Sequence, residues 1–384
     1  MTRDYDYLFI SNGHGEDFLA AAIINRLRKI NPSLSLAAYP LVGLGEAYER
    51  EKVTLLEPRQ TLPSGGFSKG SLLRLFKDVK AGLPRLLRQQ VSVLKKVAPK
   101  VKRVVVVGDF LPVFLSWLFL RRPLYFVATA KSDYIAAHWP IEVAMLRKAA
   151  VVVFARDELT ASGLLQRGVR SVHMGNVMMD SLCFGVSNIQ VRPQERTLLF
   201  LPGSRQDAAE NLMDMLKITK KLKHSYNYLV AVSQMVSEIE FMEAATASGW
   251  DWIVEDGATV LLELKDRKIQ VRLIWGAFGD LLSLADLVVG MSGTACEQAV
   301  GLGKPVITYP RNRQMARFLR DQKKLLGTSL FLMAYDHDLI AEFIEKLIDD
   351  ESRLQRLAEA GKKRLGNAGG ASKIARYLES ESTA

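Results

Sequence analysis

GMSGTACEQAVGLGKPVITYP, residues 290 to 310, is the stretch whose reading decides the fold. Ahead of it Ala285-Asp286-Leu287-Val288-Val289 predicts a short buried strand, and Lys304 to Tyr309 predicts another, so the residues between them form the crossover helix of a βαβ unit. Gly290 and Gly293 let the first turn fold tightly and approach a ligand, and the N–H groups that open the helix favour an anion such as a diphosphate. Glu297 then lies about one turn into the helix, where a carboxylate can accept the hydroxyls of a sugar ring. Thr294-Ala295-Cys296-Glu297 equally fits a capping box, with Thr294 as cap and Glu297 reaching back to it. The local spacing leaves both open.

Working outward, 384 residues with 48% apolar content exceed what a single core normally organises, so two domains are expected. MTRDYDYLFISNG at the N-terminus has acidic residues and no long apolar run, which argues against a secretory signal. Phe110 to Leu120 is apolar but shorter than the roughly 20 residues a membrane span requires. Cys183 and Cys296 are the two cysteines, so neither a disulfide framework nor a zinc cluster is indicated and a cytoplasmic location is expected.

The net charge of +11 is concentrated. Between Lys69 and Arg103 stand eleven Lys or Arg against the single acid Asp78. The same stretch carries Leu72, Leu73, Phe76, Val79, Leu83, Leu86, Leu87, Val91 and Leu94 at helical spacing, and Gly82 and Pro84 divide it into two amphipathic helices over about 68 to 100. Such helices suit an anionic membrane surface, with Arg74, Lys77, Lys80, Arg85 and Arg88 facing it. Nucleic acid competes for a basic face, but few aromatic residues interleave the charges, and no nucleic-acid partner is expected. A plain solvated helix pair is the remaining reading.

Tyr7 to Ser11 predicts the first strand and Phe18 to Arg28 a helix, which leaves Asn12-Gly13-His14-Gly15-Glu16-Asp17 as the loop between them. His14 and Glu16 would project at the carboxyl edge of a parallel sheet, the edge at which open α/β sheets bind ligands. Both suit acid or base work, while Asn12 or Asp17 could simply cap the helix. Arg103 to Val107 predicts a buried strand that ends at Gly108-Asp109, and Asp109 is either a helix cap or a catalytic carboxylate. Further strands over 124–128, 151–154 and 172–174 continue the alternation of a doubly wound parallel sheet. His138 reads as a surface or interface histidine and His173 as a structural one.

SNIQVRPQER, residues 187 to 196, predicts a linker between a first domain, 1–186, and a second, 197–365, with 366–384 a C-terminal helix that can pack back on the first domain. The second domain opens with a strand over Thr197 to Leu201 and the loop Pro202-Gly203-Ser204-Arg205, where a glycine, a hydroxyl and a guanidinium suit a diphosphate. Strands at 228–232 and 270–275 and closing helices over 339–357 and 370–378 complete it. HExxH, paired cysteines, a P-loop lysine and GxSxG are absent, and Asp4-x-Asp6 precedes a strand rather than ending one, so no metal site or cofactor is expected.

SNGHGED (11–17), VVVVGDF (104–110), GNVMMDSL (175–182), LPGSR (201–205) and SGTACEQAVGLGKPVI (292–307) span nearly the whole chain in order. Together they resemble the lipid-A-disaccharide synthases and, more closely, the lipid-A-disaccharide-synthase-related proteins, which are GT-B glycosyltransferases. The resemblance implies two doubly wound, Rossmann-like domains facing a central cleft, the first taking the acceptor and the second a nucleotide-sugar. It implies a hexosyltransferase in which Gly203, Ser204, Arg205, Ser292, Gly293, Thr294, Glu297 and Gln298 hold a UDP-linked donor. Asp109 matches the carboxylate proposed as the base, with His14 and Glu16 beside it and Asn12, Gly13 and Gly15 completing the acceptor loop. The synthases carry an AGE-A-SGD type loop at the first turn. His14 here is similar instead to the glycine-histidine turn of the peptidoglycan and diacylglycerol glycosyltransferases. The implied acceptor is thus a lipid or lipid-linked molecule at the inner face of the cytoplasmic membrane. A UDP-N-acetylglucosamine 2-epimerase-like enzyme and an inert lipid- or nucleotide-binding relative are the alternatives.

Overall fold

The structure, a computed structural model, describes residues 4–60, 82–204, 207–264 and 266–383. Arg74, Lys77, Lys80 and Arg205 lie outside the described residues, as does the first of the two basic helices. The chain divides into two units, Met1–Ser181 with Asn367–Ala384, and Leu182–Gly366.

The first unit is built on seven parallel strands: β1 (Tyr5–Ser11), β2 (Leu36–Pro40), β3 (Thr54–Leu55), β4 (Val101–Gly108), β5 (Leu124–Ala128), β6 (Ala150–Ala155) and β7 (Ser171–Val172). Their order is β3-β2-β1-β4-β5-β6-β7. Val104 to Val107 are wholly buried because β4 lies mid-sheet with helices on both faces, and each such side chain contributes roughly 1.5–3 kcal/mol. One face packs on the helices His14–Ile30 and Gly370–Thr383, the other on Leu83–Val97, Phe110–Phe119 and Pro140–Ala149. The chain leaves β1 toward β2 and returns on its other side as β4, so the switch point lies between β1 and β4.

The C-terminal helix belongs to this unit through Ala371, Ile374, Ala375 and Leu378 in the core. Tyr7 donates to Leu378 O at 2.5 Å, Tyr125 to Glu381 Oε2 at 2.9 Å, and Asp180 accepts from Gly369 N and, at 2.7 Å, from Ala371 N.

The second unit holds β8 (Thr197–Leu201), β9 (Asn227–Val232), β10 (Asp251–Asp256), β11 (Thr259–Leu264), β12 (Ile269–Trp275), β13 (Leu287–Gly290), β14 (Val306–Thr308) and β15 (Leu330–Leu332), in the order β10-β11-β12-β9-β8-β13-β14-β15. Its switch point lies between β8 and β13. The sheet is not wholly parallel: β10 and β11 form an antiparallel hairpin that pairs β12 at one end. The sequence pattern hid it because Asp251, Glu255 and Glu263 interrupt the apolar run, as suits a solvated edge. Trp252, Ile253 and Val254 on β10 are 43%, 53% and 50% exposed.

Other expectations are corrected in detail. Leu339 to Leu357 is two helices, His337–Ile348 and Glu351–Leu365, because Asp350 caps the second by accepting from Arg353 N at 2.9 Å. The segment expected as a linker packs within the second unit. Asp280 accepts from the N–H groups of Gly185, Val186 and Ser187 at 2.6, 2.9 and 2.9 Å, and Asn227 Nδ2 donates to Arg192 O and Glu195 O. Those three N–H groups, Ser187 foremost, hold the Asp280 carboxyl below the usual range.

Candidate functional site

In the second unit the loops after β8 and β13 stand side by side, with Met291 N donating to Leu201 O at 2.9 Å. Gly203 has φ +101°, a conformation other residues seldom adopt. The helix Thr294–Gly301 has Gly293 as its N-cap and no side-chain cap, so the capping-box alternative is not realised: Thr294 is already helical. Ser204 and Thr294 are exposed, Ser292, Gly293 and Glu297 half-buried, and Gln298 buried. Gly290 answers packing rather than ligand approach, since a Cβ there would lie 2.4 Å from Cys296 Sγ. Burial pushes the Cys296 thiol up to about 11, against the pull of its contact with Ser292, so it is inert.

The helix Arg313–Leu326 backs this turn. Gln322 Nε2 donates to Ser292 O and Gly293 O, and the half-exposed Phe318 ring lies against Gly293. Sequence reasoning missed what surrounds the loops. Asp214 is 1% exposed and accepts from Tyr335 Oη at 3.0 Å, with Arg311 Nε at 3.0 Å and His337 Nε2 at 3.5 Å. It gathers the ends of β14 and β15 beside the site, and PRNR after a strand was its only local signal. A pocket lined by Gln234, Glu238, Thr259 and Trp275 opens at the same edge, walled in part by the turn of the hairpin that the sequence pattern hid.

In the first unit the helix begins at His14, earlier than expected, so only Asn12 and Gly13 connect it to β1. Gly13 is its N-cap without a side-chain bond, so neither Asn12 nor Asp17 caps it. His14 is exposed, and a Cβ on Gly43 would lie 3.3 Å from its Cε1, so Gly43 makes room for the ring. A Cβ on Gly108 would lie 2.4 Å from Asn12 Oδ1 and 3.1 Å from Glu16 Cγ. Asn12, Glu16, Gly108 and therefore Asp109 converge at the β1/β4 switch point, while Gly15 is exposed with open space around it. Asp109 caps the helix Phe110–Phe119 through Oδ1, which accepts from Leu111 N at 3.0 Å. Capping occupies one carboxylate oxygen and is compatible with base chemistry on the other.

His138 is buried, not superficial: its Nδ1 lies 3.7 Å from Asp133 Oδ1, and burial holds its pKa below the usual histidine value. His173 Nδ1 pairs with Ala155 O at 3.0 Å. Among the described residues no group of three or more His, Cys, Asp or Glu is placed to hold a metal ion.

No family model matches the chain. A lipid-A-disaccharide synthase from Azoarcus sp. (strain BH72) is 25% identical over 173 residues, a match that takes in 45% of this chain and spans 40% of that relative's length. A solved putative UDP-N-acetylglucosamine 2-epimerase from Listeria monocytogenes superposes with a TM-score of 0.61 at 17% identity, over 98% of this chain and 96% of its own. MurG from Acinetobacter baumannii superposes with a TM-score of 0.56 at 15% identity, over 98% and 99%. The fold is GT-B. Both of its Rossmann-like units were thus correctly anticipated, and their switch points, β1/β4 and β8/β13, carry the candidate residues.

Proposed function

We propose that this GT-B protein is a glycosyltransferase that moves a sugar from a UDP-linked donor to a lipid or lipid-linked acceptor. The observation that carries the reading is the second switch point, where Gly203 and the side-chain-uncapped helix start at Gly293 stand on neighbouring strands. Such a pair offers backbone N–H groups to a diphosphate. In the reaction the acceptor hydroxyl attacks the anomeric carbon, the bond from that carbon to the diphosphate oxygen breaks, and the base takes the hydroxyl proton. Asp109 is the assigned base, with His14 and Glu16 beside the acceptor. Gly203, Ser204, Ser292, Gly293 and Thr294 stabilise the negative charge of the departing UDP, Arg205 adding its guanidinium on the strength of the sequence, and no metal is assigned that task. Glu297 takes the ribose hydroxyls, and Gln298 supports that turn from within.

The acceptor class follows from the surface of the first unit. The adjoining helices Leu83–Val97, Phe110–Phe119 and Pro140–Ala149 pack on one sheet face. They expose Arg85, Arg88, Lys95 and Lys96 together with Phe114, Trp117, Leu118 and Ile141, and Trp139 stands exposed just before the last. Basic and aromatic residues so mixed suit the anionic inner face of a cytoplasmic membrane, and no described helix is long and apolar enough to cross one.

Thermal denaturation with UDP, GDP, dTDP and their sugars tests the donor, since saturation at about a hundred times Kd adds about 2.7 kcal/mol. A rise in Tm with one nucleotide, abolished by Glu297→Ala and Arg205→Ala, is expected; no rise with any of them, in folded protein, rejects the reading. The second reading, a 2-epimerase, draws on the Listeria likeness over 98% of the chain. It predicts that UDP-N-acetylglucosamine alone is converted, without an acceptor, which NMR of the sugar would detect.

A further inference from the structure

Two buried carboxamides stand behind the loops of the second switch point. Asn211, 3% exposed on the helix Ala208–Lys221, donates to Pro202 O at 2.9 Å. Gln322, 4% exposed, donates to Ser292 O at 3.1 Å and to Gly293 O at 3.0 Å. All three partners are carbonyl oxygens, which only accept, so the nitrogen of each amide must face the loop. The remaining amide oxygens, Asn211 Oδ1 and Gln322 Oε1, are buried without a partner. A buried acceptor of that kind opposes folding, and Leu or Met would fill either space without it. It occurs twice, from separate helices, beside the same pair of loops.

The consequence follows from peptide geometry. In a trans peptide the C=O and the next residue's N–H point in opposite directions, so holding these three carbonyls turns the N–H groups of Gly203, Gly293 and Thr294 away from the carboxamides. Among the described residues no protein acceptor takes a hydrogen bond from any of the three. We propose that Asn211 and Gln322 are positioning residues that preset these N–H groups for the two phosphates of a nucleoside diphosphate. Donors fixed in advance need no reorganisation when charge arrives. The inference rests on the donor-site reading given above.

Calorimetric titration with uridine and with UDP separates the base and sugar from the diphosphate. Wild type should bind UDP more tightly than uridine. In Gln322→Met and Asn211→Leu that preference should shrink by about tenfold or more, while the Kd for uridine stays within about twofold; a merely structural role would weaken both ligands together. Gln322→Glu, which keeps the size and cannot donate when ionised, serves if the Met variant does not fold. In the wild type itself, UDP should slow hydrogen exchange at the Gly203, Gly293 and Thr294 amides. UDP binding with an unaltered preference in the folded variants, or with unaltered exchange at those amides, overturns the positioning role alone. A wild type that binds no nucleotide sinks the donor reading and this inference with it.

Discussion

Ser11 Oγ donates to Asp17 Oδ1 at 2.5 Å with both residues buried, directly beneath the loop that ends β1. Tyr48 Oη lies 2.6 Å from the same Oγ. Ser11 has one hydroxyl hydrogen and gives it to Asp17, so Tyr48 donates to Ser11. Burial raises the Asp17 carboxyl to about 7, with the Ser11 bond pulling it down and Glu16 pushing it further up.

A pH dependence follows, with its sign fixed by linkage. The unfolded carboxyl titrates near 3.8, so between there and about 7 the folded chain binds the extra proton. Stability from this group is fully present below the unfolded value and is lost as the pH rises through the folded one, by about 4 kcal/mol as an upper bound. Asp17→Asn cannot titrate. Urea unfolding should show the variant gaining on wild type between about pH 4 and pH 7, with the difference level above that. A difference in midpoint that stays constant across that range would contradict the raised carboxyl.

Asp109 has two separable tasks. Asp109→Ala should cost about 1 kcal/mol by leaving Leu111 N without its cap, whereas Asp109→Asn keeps an oxygen there and should retain most of the stability. Under the proposed mechanism the Asn variant nevertheless loses the base, so transfer should fall by about a hundredfold or more at unchanged donor affinity. An Asn variant with full turnover would leave Asp109 as a cap only.

Gly290 and Cys296 form a size-matched pair. With a Cβ at 290 only 2.4 Å from Cys296 Sγ, Gly290→Ala should destabilise the second unit by about 1–3 kcal/mol. Adding Cys296→Ala removes the obstructing sulfur and should restore part of the loss, a coupling that a double-mutant cycle in urea measures. Strict additivity of the two substitutions would rule out the steric account.

The same pair shows where sequence reading reaches and where it stops. Val104 to Val107 and Thr197 to Leu201 announced themselves as buried strands because a short apolar run that stops at a Gly or Pro-Gly turn has few other uses, and so the switch-point loops were placed correctly. That Gly290 serves a sulfur six residues on rather than a ligand depends on the crossover's exact packing, which no spacing encodes. β10 was invisible because an edge strand needs no apolar alternation, and Trp252, Ile253 and Val254 face solvent. Gln322 and Ser292 are 30 residues apart, and a polar residue inside an amphipathic helix gives no sign of whether it faces water or a loop carbonyl.

The exposed face of the first unit carries the last prediction. Lys95 Nζ lies 5.3 Å from the centre of the Phe119 ring, so the charged helix Leu83–Val97 and the apolar helix Phe110–Phe119 present one continuous surface. Charge and apolar area should contribute to vesicle binding in ways that salt distinguishes. Arg85→Glu with Arg88→Glu should abolish much of the preference for anionic over neutral vesicles at low salt, an effect that fades once screening shortens to about 3 Å near 1 M. Phe114→Ser with Trp117→Ser should weaken binding at every salt concentration, because burial of apolar area is not screened. Sedimentation with phosphatidylglycerol and phosphatidylcholine vesicles reads both. Wild type that stays in the supernatant with anionic vesicles at low salt would remove the membrane from the proposed function, and a soluble acceptor would then have to be sought for the same chemistry.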